Sequence, residues 1–291
     1  MGSMKNGLAI TSRRAFVVGA LTLPALGACF RQEDDDALAD RLLAMELAVP
    51  LFNGIPRLGL LAHLATLWHY PEPADSDPIG ELAAKFFDAN TLETALAPLR
   101  ASPVTIPPEI PLTYDLADHA SLLQRQLQQG YGDREAWIAD RVAGGSVQME
   151  TAEMLADCMA FPHLAAEQAL AGLRMARVVG FYAEQGQDAV AALDGAARSA
   201  VADKIIRESR DAPDDPTLPG LQPNAMRLMS RRCLIGALIT PYGTESLDHI
   251  RAVYETPAVV DFTRTLVATF ARLNDSQSHA MILKFLEQPP L

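Results

Sequence analysis

The sequence predicts an all-α protein, a multi-helix bundle or helical array with a small N-terminal helical subdomain. Three observations predict it. First, apolar residues recur at helical spacing. Leu61, Leu64 and Trp68 form one stripe, and Met175, Val179 and Tyr182 another. Val259, Phe262, Leu266, Phe270 and Leu273 keep a single stripe for about four turns. Second, two helix starts carry a capping residue followed by proline: Asp77 before Pro78, and Thr256 before Pro257. Third, alternating β-branched runs are absent apart from the short Val104-Thr105-Ile106.

The first element reads as an export signal. Lys5, Arg13 and Arg14 precede an uncharged run from Ala15 to Ala28. A helix needs about 20 apolar residues to span a bilayer, so this run is too short for a span and suits a secretory signal. Ser12-Arg13-Arg14-Ala15-Phe16 resembles the twin-arginine export signal of bacteria, and Leu26-Gly27-Ala28-Cys29 resembles a lipobox. The resemblance implies removal of residues 1–28 and acylation of Cys29. A lipid-anchored protein on the periplasmic side of the cell envelope follows, held to the membrane through the lipid on Cys29. Residue 30 is Phe, not Asp, which resembles lipoproteins sorted onward to the outer membrane in hosts that have one.

Residues 29–37 read as a tether, rich in charge from Arg31 to Asp36. The same acidic residues also suit the start of a solvated helix. An N-terminal helical region spans 38–112 and a C-terminal helical domain 113–291. Proline-rich stretches punctuate them at Pro71 to Pro78, Pro103 to Pro111 and Pro213 to Pro223. The second favours an extended chain and marks the boundary; the third, with Asp211, Asp214 and Asp215, reads as an exposed loop.

Composition excludes some classes of partner. The chain carries 24 Lys and Arg against 36 Asp and Glu, a net charge of -12, and loss of the signal makes it more acidic still. Such a chain binds nucleic acid or an anionic surface poorly. A protein or a small apolar ligand suits it better. After Cys29 only Cys158 and Cys233 remain, and in an oxidising compartment they permit one disulfide. In apolar helical text, a reduced cysteine packs equally well as a small hydrophobe.

Motifs for chemistry are sparse. GxSxG, P-loop, GxGxxG and HExxH patterns are missing, and Gly144-Gly145-Ser146 reads as a turn before a helix. His163 and Glu167, at i and i+4, could share a metal or form a surface pair. Glu150, Glu153 and Asp157 put three carboxylates on one helical face, the geometry of a cation site or of a solvated surface. Met149, Met154 and Met159 sit among them as soft ligands or core filler. Arg227, Arg231 and Arg232 could clamp an anion or form a ridge facing acidic neighbours.

Near the C-terminus, Tyr242-Gly243-Thr244-Glu245-Ser246-Leu247, Ile250, Val253-Tyr254-Glu255-Thr256-Pro257 and Phe262 resemble the DUF2059 pattern over residues 236 to 275. The resemblance implies an exported helical protein with an αα-hairpin, in which Thr256 caps, Pro257 starts the second helix and the two apolar stripes pack together. It implies no activity. The sequence thus points to an envelope lipoprotein acting as a non-enzymatic binding or scaffold module. The alternative is an exported enzyme or cofactor carrier, because the twin-arginine route takes proteins already folded.

Overall fold

The computed structural model describes residues 38–66, 77–107, 110, 116–130, 147–218, 220–239 and 244–288. Arg13, Arg14, Cys29 and the tether lie outside these residues, as do Trp68, Gly144 to Ser146 and Tyr242-Gly243. The described residues form α-helices with one 3₁₀ turn and no strand. Val104-Thr105-Ile106 is irregular chain, with Val104 and Ile106 packed against the core.

The helices are α1 (Leu38–Met45), α2 (Ala48–Gly54), α3 (Leu58–Thr66), α4 (Pro78–Ala83), α5 (Ala89–Arg100) and α6 (Leu116–Gly130). They continue as α7 (Val147–Cys158), α8 (Phe161–Gln185), α9 (Gln187–Ala191), α10 (Gly195–Asp211), α11 (Pro223–Ile239), α12 (Thr244–Tyr254) and α13 (Pro257–Glu287).

α8 is the axis of the molecule. α3, α11, α13, α2 and α10 all pack on it. Gln168 through Ala176 are buried without interruption, so no face of that stretch meets solvent. A helix enclosed on all sides needs small residues where its neighbours approach. Ala165, Ala169, Ala171, Gly172 and Ala176 supply them. A Cβ on Gly172 would lie 2.7 Å from Leu221 Cδ2 and 3.0 Å from Leu58 Cδ1.

The N-terminal helices dock through a second close approach. A Cβ on Gly59 of α3 would fall 2.4 Å from the Gly80 nitrogen and 2.5 Å from the Gly80 Cα on α4. The two backbones therefore touch. Asp77 caps α4, its carboxylate accepting from the Gly80 N–H at 2.9 Å, with Pro78 in the first turn as the sequence indicates. Asp88 caps α5 and Asp194 caps α10 in the same way, each at 2.7 Å.

One core runs from Ala39 to Leu286. Residues on both sides of Pro103 to Pro111 enter it. α1 packs on α6, α2 and α3 on α8, and α5 on α13. Phe52 of α2 meets Phe270 of α13 edge to face at 5.6 Å and Phe87 at the same distance, which links the two parts through aromatic contact.

The stretch from Pro213 to Pro223 is less exposed than its composition suggests. Leu218 and Leu221 are 8% and 0% exposed, and Leu221 reaches Gly172 on α8. Asp215 turns the chain by accepting from the Thr217 N–H at 2.9 Å, while Asp214 accepts from the Asn224 N–H at 3.1 Å at the start of α11.

The Thr256-Pro257 step joins α12 to α13, yet the two stripes go to different neighbours. α12 packs chiefly on α7, and α13 on α8, α10 and α5. Thr256 occupies the cap position, but its hydroxyl donates back to the Ala252 carbonyl at 3.1 Å and caps no α13 amide. The stripe of α13 is buried as expected through Phe270, then changes character. The next buried positions are Asn274 and Ser278, not Leu273, before Met281, Ile282 and Phe285 resume the apolar face.

Two glycines give opposite expectations. Gly59→Ala should lower stability by about 1–3 kcal/mol, because backbone cannot move aside as a side chain can. Gly180→Ala, inside α8 with nothing within 4 Å of the added methyl, should raise it by about 0.5–1 kcal/mol. Urea unfolding of both variants checks this, and the reverse order would contradict the packing described.

Candidate functional site

The start of α8 has no local cap. Its cap residue is Ala160, which has no side-chain acceptor, and the first helical amides need partners. The partner comes from the α1–α2 turn. Glu46 Oε2 accepts from the Phe161 N–H at 2.7 Å across 115 positions of sequence. Glu46 is 0% exposed. The following residue, Leu47, has φ 51° and ψ 32°, the left-handed region, and is the described non-glycine residue with positive φ. A leucine there is strained by about 1–3 kcal/mol, so the surrounding packing must hold the turn in place.

Tyr254, the last residue of α12, closes the site from another side and is 1% exposed. Cys158, at the end of α7, lies near its phenol and is half-buried. Burial raises the Glu46 carboxyl from 4.5 to about 7, against the opposing pull of the Ala160 amide, the Tyr254 hydroxyl and the Phe161 amide. Burial and the neighbouring Glu46 push the Tyr254 phenol well above its ordinary value. Burial, then the Glu255 and Asp157 carboxylates, raise the Cys158 thiol, which makes it a poor nucleophile. Glu46 Oε1 and the Tyr254 hydroxyl have no well-aligned hydrogen-bond partner, although the two side chains adjoin.

Further along α8 a second polar group is answered from α2. Gln168 Nε2 donates to the Leu51 carbonyl at 2.8 Å. Beyond it lies an ion network that fixes α10 and α13 to α8. Arg174, 0% exposed, bonds Asp275 and reaches Ser278 Oγ at 3.4 Å. Burial lowers its guanidinium pKa and the adjacent Asp275 opposes this. Arg210 holds Glu167 with two bonds, at 2.6 and 3.1 Å, and Asp275 at 2.8 Å. Asn274 donates to the Glu167 carbonyl at 2.8 Å and its carboxylate at 2.9 Å, and Ser278 donates to Asn274 at 3.1 Å. Two guanidinium groups thus balance two carboxylates, with Arg174 fully buried and Arg210 and Asp275 partly open to solvent.

The residues singled out in the sequence take structural places. Glu150, Glu153 and Asp157 share one exposed face of α7. Asp157 is bonded bidentately by Arg231, at 2.6 and 2.9 Å, and that bond holds its carboxyl below the ordinary range. The arginine ridge therefore faces the acidic row, while Arg227 and Arg232 are exposed. His163 is exposed on the first turn of α8, and Glu167 is taken up by Arg210 and Asn274. Met149 is half-buried, Met154 is 36% exposed and Met159 is 1% exposed, so the methionines do not converge. Among the described residues no cluster of three His, Cys, Asp or Glu side chains is placed to hold a metal. Cys158 is half-buried at the end of α7 and Cys233 is buried in α11.

Sequence reasoning did not find Glu46, Arg174 or the Asn274–Ser278 pair. Glu46 sits in an otherwise apolar run, Leu42 to Leu51, and an isolated charge in such a run is the signal that was available.

The molecule also carries an open groove of about 410 Å³ between α5 and α13. Pro98, Leu99, Val104 and Phe262 line it with apolar surface, and Asp261 and Arg272 add charge. No protein-family model matches the chain, and neither a curated protein nor a solved structure resembles it significantly.

The Glu46 carboxyl gives a pH dependence. Its folded value of about 7 stands above the ordinary 4.5, so between these limits the folded state binds more protons than the unfolded one. Stability is then fullest below pH 4.5 and declines as pH rises through 7. Glu46→Gln stays neutral and should be more stable than the wild type by about 3 kcal/mol at pH 8, with little difference at pH 4.5. Urea unfolding of both proteins at the two pH values reads this; equal stability at pH 8 would contradict it.

Proposed function

We propose that the protein is a lipid-anchored envelope protein whose helical body is a non-enzymatic binding or scaffold module. The order of basic residues, short apolar run, small residues and cysteine, ending at Cys29, carries the reading. The body is compatible with it. Polar groups buried along α8 are engaged with one another as packing elements, and the groove between α5 and α13 offers a seat for a small apolar ligand or a segment of another protein. No helix among the described residues is long and apolar enough to cross a membrane. Attachment in this reading rests on the acyl chains, placed one tether away from α1. The likeness of residues 236 to 275 to DUF2059 belongs to the same proposal; its helix–Thr256–Pro257–helix step is present, with the packing described above.

Arg13-Arg14 also favours a second reading, an enzyme or cofactor carrier folded before export. An absorption spectrum and metal analysis of protein purified from its native host distinguish the two readings.

The anchor is tested by fractionation. Wild-type protein should sediment with membranes and begin at Cys29, and Cys29→Ser should move it to the soluble fraction. A wild-type protein that is soluble and begins before residue 29 would defeat the proposal.

A further inference from the structure

The α1–α2 turn is held to the rest of the molecule in an unusual way. At the turn itself the polar anchor is one carboxyl, Glu46, inserted between the first amide of α8 and the phenol at the end of α12, and farther along α2 the Leu51 carbonyl is held by Gln168. Two buried oxygens in that contact, Glu46 Oε1 and Tyr254 Oη, lack aligned partners. The next residue, Leu47, is in a left-handed conformation that favours release once packing weakens. A buried acceptor without a donor is tolerated far better when the carboxyl is neutral and can itself donate. We propose that Glu46 and Tyr254 form a protonation-controlled latch. With the carboxyl neutral, the α1–α2 turn stays docked on the start of α8 and the end of α12; with it ionised, the turn is released while the remaining helices stay folded.

Geometry carries this, and the carboxyl's elevated titration near neutral pH agrees with it. Other titratable and charged groups sit on the elements around the turn. They are Asp40 and Arg41 on α1, Glu93 and Arg100 on α5, and His119 and Arg125 on α6. Arg57 on the 3₁₀ turn, Asp157 and Cys158 on α7, His163, Glu167 and Arg174 on α8, and Arg251, Tyr254 and Glu255 on α12 lie on these elements too. Asp40 and Arg100 are bonded to each other, and Asp157 to Arg231. Of the whole set, Tyr254 is the side chain that acts on the Glu46 carboxyl.

Amide hydrogen exchange of the full chain between pH 5 and pH 8 tests the latch, with Glu46→Gln as the reference that removes the intrinsic pH dependence of exchange. Relative to Glu46→Gln, residues 42–52 and the first turn of α8 should open on the order of a hundredfold more often at pH 8 than at pH 5. α10 and α13 should stay more protected than residues 42–52 at both pH values, since they open only with the whole fold. Tyr254→Phe keeps the carboxyl but removes the hydroxyl that favours its ion, so the transition should move to higher pH. Identical pH profiles in wild type and Glu46→Gln would overturn the proposal. Equal opening free energies at pH 8 in residues 42–52, α10 and α13 would also overturn it, since the turn would then open only with the whole fold. A transition unmoved in Tyr254→Phe would remove Tyr254 from the latch.

Discussion

The structure depends on the enclosure of α8. A helix with no solvent-facing side along Gln168 to Ala176 cannot leave its polar groups to water. Along this helix several polar groups are answered by other parts of the chain. Glu46 answers the first amide, Leu51 answers Gln168, Asp275 answers Arg174, and Arg210 with Asn274 answers Glu167. The order of the surrounding helices follows from these obligations. α2 lies where Gln168 reaches its carbonyl, and α10 and α13 lie where the ion network closes. The apolar side of the same constraint appears at Gly172, which lets Leu58 and Leu221 meet the helix from two elements.

Legibility in the sequence divided along the same line. Local signals were readable. Asp77-Pro78 starts α4, Pro257 starts α13, and the stripe Val259, Phe262, Leu266, Phe270 faces the core. What could not be read depends on contact between residues far apart in the chain. Asn274 and Ser278 look like surface residues until Arg174 is known to be buried opposite them. Their position also explains why Leu273 is displaced from the buried face. Thr256 was legible as a boundary, but its side chain terminates α12 instead of capping α13. The two apolar stripes around Pro257 were legible as well, while their partners, α7 and α8, were not. At the candidate site, Glu46 has no periodic signature, and its role appears only when α8 is seen to begin at an alanine.

The surface and the interior use charge differently. Outside, Asp157–Arg231 and Arg264–Asp261 are solvent-exposed pairs that contribute little to stability. Inside, the Arg174 guanidinium and the Glu46 carboxyl are desolvated, so their protonation and pairing matter to the fold.

The most direct test of this account is a carbon-13 titration of the Glu46 side-chain carboxyl in the full chain, assigned by comparison with Glu46→Gln. A carboxyl buried against the start of α8 should titrate with a midpoint of about 7. A midpoint at the ordinary 4.5 would place the carboxyl in water, leave the first amide of α8 without its partner, and contradict the arrangement on which the rest of the structure is built.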